Sequence, residues 1–111
     1  MTTYSEEVDQ QLLISVIEGN LENVKYYINK GADIHVTQDN GRQNPLRLAA
    51  IRSYIDIVKY IVEELKVDPG KDKRVLQMTT MANKHGKEIF RYLVEHGGKV
   101  NGFVWFCGLI G

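Results

Sequence analysis

The residues of this chain whose types could do chemistry are three histidines, one cysteine and a scatter of carboxylates. His35, His85 and His96 lack the i, i+4 spacing by which a helix turns two imidazoles toward one zinc ion, and no Cys-x-x-Cys pair accompanies them. His85, His96 and Cys107 follow one another at intervals of eleven residues. A structural zinc needs a fourth ligand and convergent geometry, so this regularity is read as coincidence. A nucleophilic Cys107 would need a base beside it in an electropositive, partly exposed setting. It stands instead within Phe103-Val104-Trp105-Phe106-Cys107, where a thiol stays protonated and packs as a small hydrophobe. Pro69-Gly70-Lys71 and Gly97-Gly98-Lys99 lack the G-x-x-x-x-G-K-S/T frame of a phosphate loop and read as turns. Glu63, Glu64, Glu88 and Glu95 fall on solvated helix faces, where nothing raises a carboxyl toward general-acid duty. Tyr26, Tyr27, Tyr60 and Tyr92 recur in equivalent stretches and read as packing residues with wet hydroxyls rather than a stacking platform for bases. No catalytic residue, metal site, cofactor or small-molecule substrate is expected.

Charge narrows the choice further. Fourteen basic and fourteen acidic side chains cancel over 111 residues, so the whole molecule lacks the electrostatic footprint of a nucleic-acid binder, which would have to use a local patch. The longest apolar stretch, Phe103 to Ile110 broken by Gly108, is far short of the roughly 18 residues that span a bilayer. Met1 to Gln10 is polar, with Glu6, Glu7 and Asp9, and there is no Asn-x-Ser/Thr sequon. With a lone cysteine unable to form an internal disulfide, these features favour an intracellular, cytoplasmic setting.

What must position any functional side chain is a repeat. Leu21 to Gly31 reads L-E-N-V-K-Y-Y-I-N-K-G, and 34 positions on, Ile55 to Glu64 reads I-D-I-V-K-Y-I-V-E-E. A third copy, E-I-F-R-Y-L-V-E-H-G from Glu88 to Gly97, comes 32 positions after Asp56. Periods in this range belong to stacked helical units, and three is about the number needed for neighbours to bury a continuous core. In the middle unit Asn44 can cap a helix that starts on Pro45, whose missing amide hydrogen costs nothing there. Leu46, Ala49 and Ala50 then share one face, the alanines allowing close helix approach. A second helix from about Ile55 to Leu65 turns Ile57, Val58, Ile61, Val62 and Leu65 inward and Asp56, Lys59, Glu63 and Glu64 to water. The first unit maps at 34 residues, Leu12, Ser15, Val16 and Val24 onto Leu46, Ala49, Ala50 and Val58. The third maps at 32, Met78, Ala82, Ile89 and Leu93 onto Leu46, Ala50, Ile57 and Ile61, with a one-residue slip around His85-Gly86 as the alternative.

The units resemble the ankyrin repeat, on N-P-L-R-L-A-A at Asn44 to Ala50, G-N-L-E-N-V-K at Gly19 to Lys25 and G-A-D-I-H at Gly31 to His35. The resemblance implies an all-α helical solenoid of stacked helix-turn-helix units joined by loops. It divides a single domain, 1–111, into repeats at about 10–43, 44–75 and 76–101, with an apolar tail at 102–111. It places a loop hairpin within Asp33 to Asn44, where Asp39-Asn40-Gly41 supplies the turn. The V-K-Y outer helices look like those of ankyrin proteins encoded by large DNA viruses. Asn44 and Arg47 stand where the family has threonine and histidine, which is expected to weaken the bonds between helix start and loop. Ser53 and His85 stand where it has a left-handed glycine, at roughly 1–2 kcal/mol each. Gly31 is expected to have no counterpart in the second unit.

Ankyrin proteins meet partners through loop tips and the exposed side of the inner helices. That carries over to Ile17 and Glu18 in the first unit, Asp39, Asn40, Arg42, Ile51 and Arg52 around the second, and Lys73, Arg74 and Lys84 in the third. Lys71 and Lys87 add to a basic side that Asp72 offsets, so an acidic peptide or protein face is the expected partner. The tail 103–110 is expected to cap the open end of the third unit or to serve docking or self-association, with a truncated fourth unit as a further structural alternative. The expected function is a non-catalytic protein-protein interaction module; a truncated array without independent activity and weak nucleic-acid binding through the basic loop face are the alternatives.

Overall fold

The computed structural model describes residues 4–72, 74–79 and 84–98, less the side chains of Gln77, Met78 and Lys84. Lys73, Ala82, Cys107 and the tail 102–111 lie outside the described residues. The chain runs through α1 (Tyr4–Ile17), α2 (Leu21–Asn29), α3 (Pro45–Ile51), α4 (Ile55–Lys59), α5 (Val75–Met78) and α6 (Lys84–Glu95). Inner helices α1, α3 and α5 pack in chain order, as do outer helices α2, α4 and α6, and each inner helix packs on the outer helix of its own unit. This is the expected solenoid: all-α, with no strand among the described residues beyond one isolated bridge.

The repeat arithmetic appears directly in the core. Leu12, Val16 and Val24 of the first unit and Ala49, Ala50, Ile57, Val58 and Ile61 of the second are fully buried, as are Ile89 and Leu93 of the third. Ser15, in the place of Ala49, is also buried; its hydroxyl donates to the Gln11 carbonyl at 2.8 Å, so its polarity is met inside its own helix. The outer helix of the third unit keeps the 32-residue offset, whereas α5 begins 30 residues after Pro45 and buries Val75 and Leu76.

Two turns show how this sequence departs from a glycine-rich pattern and what the departure costs. After α1 the amides of Gly19 and Asn20 donate to the carbonyls of Val16 and Ser15, and after α3 those of Ser53 and Tyr54 donate to Ala50 and Ala49. The turns are the same, with φ of 72° at Gly19 and 63° at Ser53. Ser53 therefore carries a left-handed backbone that glycine would adopt without steric cost. Ser53→Gly is expected to stabilise the fold by about 1 kcal/mol, a rise of roughly 4–8 °C in Tm for a chain near this size. A fall in a thermal unfolding curve would show that the serine side chain holds this turn. His85 is a different case: it lies in the first turn of α6, inside the helix, and does not replace a turn glycine.

The second unit's outer helix is one residue longer, and the backbone absorbs that residue locally. Beyond Lys59 the helix widens into a π-helical turn, Tyr60–Glu64. In the first and third units the closing amides, Ala32 and Gly98, reach back five residues to Tyr27 and Leu93; in the second, Val67 reaches back six, to Ile61. Lys66 then takes the left-handed position, φ 59°, that Gly31 and Gly97 occupy elsewhere. Gly31 thus has a counterpart after all, displaced by the inserted residue and filled by a lysine.

Candidate partner-binding surface

Between the first and second units the chain forms a small hairpin. Gln38 and Gln43 exchange both backbone hydrogen bonds, at 3.0 and 3.2 Å, and the tip between them carries positive φ at Asp39, Asn40 and Gly41. Aspartate and asparagine tolerate that region better than other side chains. The hairpin base runs straight into α3, where the Asn44 side chain accepts from the Arg47 amide at 2.9 Å and Pro45 takes the first helical position.

Arg47 joins the hairpin to the next unit. Its Nη1 donates to the carbonyls of Gly41 and Arg42, at 2.9 and 3.0 Å, and its Nε donates to both carboxylate oxygens of Asp72, at 3.0 and 2.8 Å. Asp72 also accepts from Asn44 Nδ2 at 3.1 Å and from the Arg74 amide at 3.0 Å. The ion pair is largely shielded, at 14% and 13% side-chain exposure. Burial pushes the Asp72 carboxyl up, but the hydrogen bonds from Arg47, Asn44 and the Arg74 amide, with the Arg47 charge, outweigh it and hold the group below its ordinary 3.8. Asn44 and Arg47 therefore rebuild the link between helix start and loop, contrary to the weakening expected from the loss of threonine and histidine. Asp72 is an anchor of that link and not merely an offset to nearby lysines. The readable signal was an N-cap asparagine three residues before an arginine; its aspartate partner, 25 residues on, had no local sign.

The expected contact residues fall into two groups. Asp39, Asn40 and Arg42 are exposed on the hairpin tip, and Arg74 is exposed just beyond Asp72, so the Arg47 network brings Arg42 and Arg74 to one end of the inner helices. At the other end Ile51 and Arg52 are exposed at the close of α3, and Glu18 is exposed at the close of α1. Ile17 is half-buried; its carbonyl accepts from the Tyr54 hydroxyl at 3.3 Å. Lys73 and the side chain of Lys84 lie outside the described residues. A groove of about 210 Å³ opens beside the network, lined by Ile34, His35, Arg47 and Lys71 among others. Among the described residues no three histidine, cysteine or acidic side chains are placed to share a metal ion, and no helix is long and apolar enough to cross a membrane.

The outer helices carry a feature that treating the tyrosines as packing residues missed. Lys25 lies over the Tyr60 ring, 5.5 Å from its centre, and Lys59 lies over Tyr92 at 5.8 Å, each lysine reaching the tyrosine of the following unit. The Tyr92 hydroxyl is not simply solvated: it donates to Glu63 Oε2 at 2.6 Å. Burial, then that bond and the Glu63 charge, push its phenol well above 10. The thrice-repeated basic-residue-then-tyrosine pair (Lys25-Tyr26, Lys59-Tyr60, Arg91-Tyr92) was the signal in the sequence.

Comparison with known proteins agrees with this architecture. The family model described as "Ankyrin repeats (3 copies)" matches residues 12–103. Notch-regulated ankyrin repeat-containing protein A of Danio rerio is 36% identical over 70 residues, covering 63% of this chain and 62% of its own length. Its Homo sapiens counterpart is 36% identical over 66 residues, covering 60% and 57%. Protein phosphatase 1 regulatory subunit 27 of Mus musculus is 42% identical over 48 residues, covering 43% of this chain and 30% of its own. The chain thus spans less than two thirds of the length of these curated relatives. They are animal proteins, and the narrower likeness to viral ankyrin proteins is not what they show. No solved structure matches.

Proposed function

The chain belongs to the ankyrin-repeat family, and from that premise we propose that it is a non-catalytic interaction module which binds an acidic protein or peptide face. The contact surface runs from the hairpin tip, Asp39, Asn40 and Arg42, past Arg74, to Ile51 and Arg52. The observation that carries this reading is the Arg47–Asp72 pair. Arg47 spends its own charge on Asp72 and fixes the hairpin carbonyls, and the side chains of Arg42 and Arg74 remain exposed on a braced backbone. A pre-positioned basic edge binds with less ordering entropy and attracts acidic partners faster. That one relative is by its name a regulatory subunit of a phosphatase fits a module that acts through another protein.

The test is affinity capture on the full chain, with captured proteins identified by mass spectrometry and rebinding measured on the purified partner. Arg42→Glu together with Arg52→Glu is expected to weaken that binding at least tenfold while leaving the thermal unfolding curve within a few degrees of the parent. Unchanged binding would move the site off this edge. Strong, salt-dependent binding to random oligonucleotides in preference to any protein would favour the nucleic-acid alternative.

A further inference from the structure

We infer that the two ends of this stack are complementary to each other, so that a second copy of the chain docks head-to-tail, its third unit against the first unit of its neighbour. The argument comes from comparing the same position in successive units. Pro45 and Leu48 are buried in the second unit, whereas their equivalents 34 residues earlier, Gln11 and Ile14, are exposed, Ile14 by 44%. Tyr60 is half-buried with Lys25 of the preceding unit over its ring, whereas its equivalent Tyr26 is 53% exposed, and the Lys30 and Tyr27 that contact its ring both belong to its own unit. The first unit thus presents to solvent the face that the second presents to its predecessor.

The other end offers the matching half. Val58 and Val62 are buried in the second unit, whereas Phe90 and Val94, 32 residues on, are only half-buried. Arg91 and Glu95 are exposed, and they occupy the places of Lys59 and Glu63, the two residues that hold Tyr92 by its ring face and its hydroxyl. Continued by one step, the ladder sets Arg91 over the Tyr26 ring of a second copy, with Glu95 facing its hydroxyl, Phe90 and Val94 on α6 against α2, and the Ile14 side of α1 against α5, as inner helices pair with inner and outer with outer within the chain. The contact is between different surfaces, so it leaves an unused end at each step and extends into short chains or closes into a ring. Being partly electrostatic and at exposed sites, it weakens with salt.

This geometry makes a demand that other modes of association do not. Sedimentation velocity of the full chain should show association that grows with concentration. Tyr26→Ala removes the receiving end and Arg91→Glu the donating end, so each variant alone should associate at least tenfold more weakly than the parent. Mixed in equal amounts, the two variants retain one intact junction between them, and the mixture should form a heterodimer and nothing larger. Ile14→Lys serves as a second receiving-end variant should Tyr26→Ala unfold. A parent chain that stays monomeric up to millimolar concentration would overturn the inference, as would variants that associate like the parent or a mixture that fails to dimerise. Association abolished by removing residues 102–111 but untouched by Tyr26→Ala and Arg91→Glu would assign it to the tail and would equally overturn it.

Discussion

Asp72→Ala is expected to lower Tm by about 15 °C, because it strands Arg47 Nε and Asn44 Nδ2 in a largely shielded setting and unties the hairpin from the next unit. Removing one partner of a shielded, multiply bonded ion pair costs about 3 kcal/mol, and in a chain of this size about 1 kcal/mol is worth roughly 4–8 °C. Total stability for 111 residues is only about 5–15 kcal/mol, so the loss takes a large share. Thermal unfolding followed by circular dichroism measures it, and a shift of one or two degrees would mean that the network adds little. The same carboxylate fixes an acid dependence. Its folded pKa lies below 3.8 and below its unfolded value, so its stabilisation is complete above the unfolded value and disappears as pH falls through the folded one. Asp72→Asn should flatten that part of the acid unfolding profile and leave the neutral and alkaline parts parallel to the parent.

Gly70→Ala is expected to destabilise by about 2–3 kcal/mol, the upper part of the roughly 1–3 kcal/mol that forcing an extra carbon into a packed site costs. A Cβ at Gly70 would collide with the Gly97 carbonyl oxygen and stand 3.0 Å from Asp68 Oδ1. The obstruction is backbone, which cannot rotate away as a flexible side chain could. Gly41→Ala provides the contrast: φ is +81° there but nothing lies within 4 Å of the added carbon, so only the left-handed strain of roughly 1–2 kcal/mol applies. Chemical denaturation of the two variants should rank Gly70→Ala as the more damaging. The reverse order would show that the 69–71 turn moves aside.

Much of the fold could be read from the chain because its causes are local or periodic. Asn44-Pro45 starts α3 through a cap and a fixed φ, and the 34-residue offset carried burial from Leu46, Ala50 and Val58 to Leu12, Val16 and Val24. Where the reading failed, the cause lay between units. The π-helical turn at Tyr60–Glu64 and the left-handed Lys66 reconcile one extra residue with a fixed stacking distance, a constraint imposed by the neighbouring units and not by any residue in that turn.

The candidate surface divides in the same way. Sequence alone determined that the chain is a stack of helical pairs with charged loop tips, because hydrophobic period and turn residues act within a few positions of themselves. Only the tertiary structure decided which charges are spent and which are offered. Asp72 and Arg47 meet across 25 residues, and Lys59 meets Tyr92 across the gap between units, because stacking brings them within reach. Coulomb and hydrogen-bond energies fall off over a few ångströms of space, whatever the distance along the chain.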